Sequence, residues 1–324
     1  MDELNPTVLN GFGLKLKGFS RTRGAYMCNT DKGIKQVKRN DMKLEDIVFV
    51  HNAKQQLYNN GFESIDKFEL SLEGLPYFIF DDEIYTVSNY IEGVEIDLSR
   101  NLIEVSRTLA TMHKSATEVR SNKSEKNGDL ISVLEKRITE MSRLKKRILQ
   151  LSSRSKLDVM ILKNYDYYYD LAQKSMEMLK NSDYRELMKN AFNNGDFCHN
   201  NCREENFILN VKDLYIVNFE ECENNLHITD LANIIRRCIK NLSCTEKDAF
   251  LILEEYSKIR DISYQEKKVL MAMLIFPYKF LKVCNKYYNS RKNWVQNNIS
   301  YSLEQYCSNK EKNENFLKIL EREL

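Results

Sequence analysis

Apolar and polar residues alternate through 14–21, 25–29 and 32–38, the two-residue period of a strand with one buried face, and Gly24 and the turn Asp31-Lys32-Gly33 separate the runs. The period then lengthens. Leu44, Ile47, Val48 and His51 fall at i, i+3, i+4 and i+7, which predicts a helix whose single apolar stripe faces a sheet. Strands are predicted again at 77–80 and 83–88, on either side of the acidic turn Asp81-Asp82, and residues 89–97 cross to a helical remainder. There Leu102, Ser106, Leu109 and His113 share one face of a helix over 99–117, so His113 reads as structural. A polar loop over 122–128 precedes an amphipathic helix over 130–151, and Tyr165, Tyr167, Tyr168 and Tyr169 open the next helix as an aromatic packing patch. From Thr245 onward the pattern stays helical, with Val269, Met273, Phe276, Phe280, Cys284 and Tyr287 as a buried stripe interrupted at Pro277. Phe316, Ile319 and Leu320 within the charged tail predict a docked terminal helix. The chain thus reads as α+β, with a β-rich lobe holding one long helix over 1–90 and a larger helical lobe over 91–324, and without internal repeats.

Composition changes this picture little. A chain of 324 residues, 42% hydrophobic and 30% charged, buries a substantial core in one large or two medium domains. Lys and Arg number 49 against 47 Asp and Glu, a net charge of +2 that leaves no electrostatic footprint for nucleic acid. The start, MDELNPTVLN, has neither a basic segment nor an apolar run, and the longest aliphatic stretch, 270–276, ends at Pro277, too short to span a bilayer. A soluble intracellular product is expected. The eight cysteines are scattered as reduced, buried thiols are, and Cys198-His199-x-x-Cys202 has no second pair at zinc-ligand spacing, so no metal site is expected there.

The candidate chemistry lies within 191–237. Phosphotransferases of the kinase-like kind, such as aminoglycoside and choline kinases, carry His-Gly-Asp, an Asn five residues after that Asp, a short strand, and a second metal-binding Asp followed by Phe. The first Asp orients the attacking hydroxyl and accepts its proton; the Asn and the second Asp hold magnesium. The stretch resembles this motif without gaps at His199-Asn200-Asn201, Asn206, Ile208-Leu209, a strand over 214–217, and Asn218-Phe219-Glu220. Both acidic positions, 201 and 218, are amides. An amide neither takes a proton near neutral pH nor offsets a divalent cation, and losing a general base alone costs about 10² to 10⁴ in rate. A second register pairs Gly195-Asp196 with Asn201 and would restore the catalytic acid as Asp196, but it needs an insertion before the strand and puts Asn194 where His belongs. The spacing from Asn206 to Asn218 suits a strand-turn-strand hairpin in the ungapped register. Asp230 matches the Asp that accepts backbone N–H bonds from the catalytic loop, so it and His199 are expected to support that loop, with Arg236 and Arg237 on the same helix as further ties.

In such a frame Lys38, on the third strand, is the nucleotide-binding residue, pairing with phosphates and with a helix carboxylate. Glu45 and Asp46 lie in the first helical turn, where they complement the helix dipole, and His51 stands near the partner's expected place. The Gly-rich phosphate loop is replaced by a Gly18 to Gly24 turn whose Arg21 and Arg23 either grip an anion or stand solvated. Arg137, Arg143, Lys145, Lys146 and Arg147 make the 130–151 helix basic, which fits a solvated face or docking onto an acidic neighbour.

Nearly the whole chain resembles one family, the CotS family of bacterial spore-coat proteins. The resemblance runs through Gly33-Ile34-Lys35, Val37-Lys38-Arg39, Asn60-Gly61-Phe62, Tyr90-Ile91-Glu92-Gly93, Leu109-Ala110 with Met112-His113, Phe276-Pro277-Tyr278-Lys279-Phe280, and Asn285 to Asn289 with Lys292 and Trp294. Asn218 fits the family, whose second metal-site Asp is commonly Asn, whereas Asn200 and Asn201 depart from its His-Gly-Asp. The resemblance implies a bilobal protein-kinase-like fold of the aminoglycoside-phosphotransferase type. It implies a coat-associated pseudokinase, made in the mother-cell cytoplasm and recruited to the spore coat, with other coat proteins as partners and no cofactor. The alternative is an ATP- and magnesium-dependent phosphotransferase of a small hydroxylated molecule or sugar, using Asp196. Oligomeric state is open.

Overall fold

The computed structural model describes residues 4–22, 24–121, 129–211, 213–240, 244–289, 293–308 and 310–323. Arg23, the loop over 122–128 and Lys292 lie outside them. After a short helix α1 (Pro6–Asn10), three strands follow in succession, β1 (Leu16–Thr22), β2 (Ala25–Thr30) and β3 (Gly33–Asn40). Helix α2 (Leu44–Asn59) comes next, then β4 (Phe78–Phe80) and β5 (Glu83–Asn89). These strands form one antiparallel sheet in the order β1-β2-β3-β5-β4. The β4–β5 turn is made by Asp81 and Asp82, both at positive φ (54° and 60°), the paired left-handed geometry of a tight hairpin. Leu9, Phe12, Leu14, Cys28, Val37 and Val87 bury one face of the sheet under α1.

The stripe expected on α2 is rotated. Ile47 is buried, but Val48 is exposed and Leu44 and His51 are only partly covered; the inward face is Ile47, Val50, Ala53, Lys54 and Leu57. A lysine on the inward face broke the apolar pattern, and periodicity alone then favoured the wrong side.

Strand β6 (Val94–Glu95) and helix α3 (Leu102–Ser115) come next, and Leu102, Ser106, Leu109 and His113 are all buried on α3, the face expected. Helices α4 (Leu130–Leu149), α5 (Lys156–Lys180) and α6 (Tyr184–Asn194) lead to a group of short elements, β7 (Phe197–Cys198), β8 (Phe207–Leu209), β9 (Leu214–Ile216) and β10 (Glu223–Asn224). Helices then run to the end: α7 (Ile228–Lys240), α8 (Glu246–Ser257), α9 (Tyr264–Ile275), α10 (Tyr278–Asn289), α11 (Asn293–Ser308) and α12 (Lys310–Glu323).

Contacts divide the chain into two compact units, Met1–Lys123 with Lys189–Asp261 and Ser124–Met188 with Ile262–Leu324. The first unit holds the five-stranded sheet, α2, α3, the short strands and α7–α8. In the second, α5 packs against α4 and α9, Tyr168 is sandwiched by Phe280 (4.4 Å between centroids) and Tyr306 (5.3 Å), and Phe316 and Leu320 bury α12. The tyrosines of α5 lie in mid-helix rather than opening it, and none of the four is exposed, so packing accounts for them. No helix of the described residues is long and apolar enough to cross a membrane.

Candidate functional site

The hairpin expected between Asn206 and Asn218 is present: β8 and β9 pair antiparallel through Phe207–Ile216, Ile208–Tyr215 and Leu209–Leu214. Its open end brings the two flanking amides together, and Asn218 Nδ2 donates to Asn206 Oδ1 at 2.8 Å. Asn206 Nδ2 in turn donates to the carbonyl of Asn201 at 2.7 Å. Strand β6 pairs with β8, and Gly93 just before it leaves the space this needs, since a Cβ there would meet Leu209 O at 2.5 Å. Residues 64–69 attach through single bridges, Ile65 to Ile216 and Phe68 to Ser88, and so deliver Asp66 to the same place.

Asn206 and Asn218 line a cleft of about 670 Å³ together with Lys38, Asp66 and Glu220. Lys38 Nζ donates to Asn218 Oδ1 and to Glu220 Oε1, each at 2.5 Å. Burial by itself would raise the Glu220 carboxyl, but the charge and hydrogen bond of Lys38, helped by Lys54, hold it below the ordinary range. Lys38 therefore does have a carboxylate partner. It is Glu220, two residues after Asn218, and not a residue of α2 such as Glu45, Asp46 or His51. Behind this pair, Lys54 Nζ lies 2.9 Å from Asp66 Oδ1, donates to the Asp66 carbonyl at 2.8 Å, and sits 4.0 Å from the Phe68 ring centroid. The distance to Oδ1 makes an ion pair although the angle is not that of a hydrogen bond.

The other side of the loop is held by charge. Asp230, on α7 and wholly buried, accepts from the backbone N–H of His199 (2.7 Å) and of Asn200 (2.8 Å) and lies 3.1 Å from His113 Nε2. Desolvation opposes its ionisation, yet these bonds and the neighbouring imidazoles keep the carboxyl below its usual value. The His113 ring is held below the usual imidazole value mainly by burial, against the pull of Asp230, and its Nδ1 faces Tyr256 Oη at 2.7 Å. His227 stacks on it at 4.6 Å and is depressed further, by burial and by His113. His199 Nε2 donates to Val217 O at 2.9 Å, which leaves Nδ1 as the acceptor for Asn201 N–H at 3.2 Å. Asn200 stands at φ 58° and Asn218 at φ 66°, left-handed positions that asparagine accepts better than most side chains, which explains how Asn200 replaces the glycine of the motif.

Asn201 is beside the cleft rather than pointing into it, its Nδ2 donating to Glu221 Oε1 at 2.9 Å. Asp196 is elsewhere: its N–H donates to Ala191 O at 2.8 Å, its carbonyl accepts from Asn224 Nδ2 at 2.9 Å, and it lines a separate surface pocket with Glu118, Arg120 and Asn193. Sequence reasoning assigned no role to Glu220, Glu221, Lys54 or Asp66. Glu220 had a local signal, an acid two residues past Asn218, whereas Lys54 and Asp66 had none.

The Asn206, Asn218 and Glu220 oxygens are not free to hold a magnesium ion. Asn206 Oδ1 and Asn218 Oδ1 are neutral acceptors already engaged by Asn218 and Lys38, and the Glu220 oxygen beside them holds the Lys38 ammonium. His113, Cys198 and Asp230 bring ligand atoms within 4.8 Å of one another, but the carboxylate is engaged by the loop and His113, and burial raises the Cys198 thiol well above its normal pKa. Thiolate ligation is disfavoured there.

The family model described as "Spore coat putative kinase YutH" matches residues 6–320. The chain belongs to the YutH spore-coat family. Its relatives include spore coat protein S of Bacillus subtilis strain 168, 22% identical over 310 residues covering 93% of this chain and 88% of that one. Endospore coat-associated protein YutH of the same organism is 19% identical over 307 residues, 92% and 88% of the two chains. Among solved structures, an aminoglycoside phosphotransferase from Alicyclobacillus acidocaldarius superposes with a TM-score of 0.87 over 100% of this chain and 97% of its own at 18% identity. A spectinomycin phosphotransferase solved with ADP and spectinomycin gives 0.59 over 90% of each chain at 13% identity. The fold of this coat-family chain is therefore that of aminoglycoside phosphotransferases, α+β with an N-terminal sheet and a mostly helical remainder, as expected.

Proposed function

We propose that this chain serves the spore coat as a noncatalytic component, a pseudokinase whose cleft lysine is engaged by its own side chains. The observation that carries the reading is the Lys38 ammonium bridging Asn218 Oδ1 and Glu220 Oε1 at 2.5 Å. In an active phosphotransferase the third-strand lysine serves phosphate beside a helix carboxylate; here its ammonium is held by Asn218 and Glu220, from the segment that would carry the metal ligand. Two amides stand where the base and metal carboxylates belong, and Asp196, the alternative acid, lies in another pocket. Coat assembly, with other coat proteins as partners, is the role left to the fold, and production in the mother cell follows from it.

A second reading, phosphotransfer to a small hydroxylated molecule, draws support from Glu221, whose carboxylate approaches Asn201. One experiment separates the two. Thermal unfolding with saturating magnesium-ATP should leave the midpoint in place, whereas a ligand at about a hundred times its Kd adds about 2.7 kcal/mol of stability. A clear upward shift that vanishes in Lys38→Ala, together with phosphate transfer that vanishes in Glu221→Gln, would overturn the noncatalytic reading. A fluorescent fusion should collect at the forespore surface late in sporulation.

A further inference from the structure

Helices α4 and α5 form an antiparallel hairpin whose tip concentrates charge. Between Arg143 and Lys163 the chain carries seven Lys and Arg against a single acid, Asp158, while the full chain has a net charge of only +2. That acid is buried and occupied, accepting from Ser155 and Tyr288. Lys145 is paired with Asp166 at 2.6 Å, so it contributes little outward field. Arg143, Lys146, Arg147, Arg154, Lys156 and Lys163 are exposed, and none of them has an ion-pair partner among the described residues. Arg147 lies over the Tyr288 ring at 4.8 Å, and Arg154 donates to the carbonyls of Ile148 and Leu149, which caps α4 and fixes the turn.

Aliphatic side chains protrude among these cations. Leu149 at the end of α4, Leu151 in the turn and Val159 in the first turns of α5 are 50%, 38% and 55% exposed. They cannot belong to the apolar stripe of α4, because that stripe, including Met141, Leu144 and Ile148, is already buried within its own unit. Exposed aliphatics set among unpaired basic residues at a hairpin tip match a surface of fluid, anionic headgroups: the aliphatics enter the interface while long basic side chains reach the phosphates. A folded protein partner would need a complementary hollow for the same protrusion.

We propose that the α4–α5 tip is a docking site for an anionic bilayer surface. The test is sedimentation of the full chain with large vesicles of phosphatidylcholine, with and without phosphatidylglycerol. The chain is expected to sediment with the anionic vesicles at about 0.1 M salt and to be largely released at about 0.5 M, where the screening length is roughly halved. Each unpaired cation near a charged surface is worth about a five-fold change in partitioning, so the triple change Arg143→Gln, Lys146→Gln and Lys156→Gln should lower it about a hundred-fold. Leu149→Ser with Leu151→Ser should abolish the binding that survives high salt. A control with Lys17→Gln, Lys32→Gln and Lys43→Gln, exposed positions in the other unit, removes the same charge and should sediment like the unaltered chain. Equal thermal midpoints establish that all variants are folded. Equal loss in the tip and control variants, sedimentation indifferent to lipid charge, or binding to soluble polyglutamate without binding to vesicles would overturn the proposal, the last outcome assigning the tip to an acidic protein.

Discussion

The two faces of the loop over 199–206 have diverged in chemistry while remaining one piece of backbone. On the buried face a full charge survives, with Asp230 held by two backbone donors and His113 in complete burial. On the cleft face amides stand at 201 and 218 in place of carboxylates, and the Asn201 carbonyl, Asn206 and Asn218 form a neutral row that ends on Lys38. The contrast separates what the fold needs from what phosphotransfer needs. An uncompensated buried donor destabilises the native state directly, so Asp230 cannot be lost without consequence; a missing base or metal ligand affects only a rate.

The largest expected effect therefore lies on the buried face. Asp230→Ala leaves two backbone N–H groups and the His113 ring without their acceptor and should cost about 3 to 5 kcal/mol in denaturant unfolding. A loss no greater than that of a surface substitution would end the distinction between the faces. Acidification tests the same face by another route. The folded-state pKa values of His113 and His227 lie below the unfolded value, so below about pH 6.5 the unfolded chain takes up protons that the native one does not, and stability falls as pH drops. Asp230 and Glu220, also lowered, add a second loss that begins as pH falls below the ordinary carboxyl range of about 4 and continues through their lower folded-state values. The thermal midpoint should decline below about pH 6.5, and His227→Asn should flatten the first part of that decline. A midpoint constant down to about pH 5 would contradict the burial of neutral imidazoles.

Effects on the cleft face should be smaller. Glu220→Gln removes the anion beside Lys38 in a partly exposed pair and should cost about 1 kcal/mol. A loss of several kcal/mol would mean that the cleft pair matters to the fold as much as Asp230 does. Asn201→Ala should change stability by no more than about 0.5 kcal/mol, since the side chain is only half-buried and its amide donates to the exposed Glu221. The double change Asn201→Asp with Asn218→Asp should produce no phosphate transfer. Measurable turnover there would show that the two amides alone had silenced an otherwise competent site.

Much of the cleft was legible because motif spacing is local. The hairpin from Asn206 to Asn218 follows from a fixed number of residues between two turns, and His199, Asn206, Asn218 and Asp230 are placed by short segments whose order leaves little freedom. The face of α2 was not legible in the same way. Lys54 occupies an inward position, and a charged residue on a buried face breaks the period from which burial is inferred; only the loop that brings Asp66 to it makes that position tolerable. The partner of Lys38 stayed open for a related reason, since a carboxylate 182 positions away along the chain leaves no periodic trace.

By itself the sequence determined the strands and the acidic turn of the sheet, the buried face of α3, the hairpin and the loss of acid at positions 201 and 218, because each depends on residue type and spacing over a few turns. The tertiary structure decided which charges meet, Lys38 with Glu220 and Lys54 with Asp66, which imidazole reaches Asp230, and where unpaired cations gather at the α4–α5 tip. An ion pair requires two side chains to arrive within a few ångströms from distant segments, and that is fixed by the packing of elements, which no local pattern encodes.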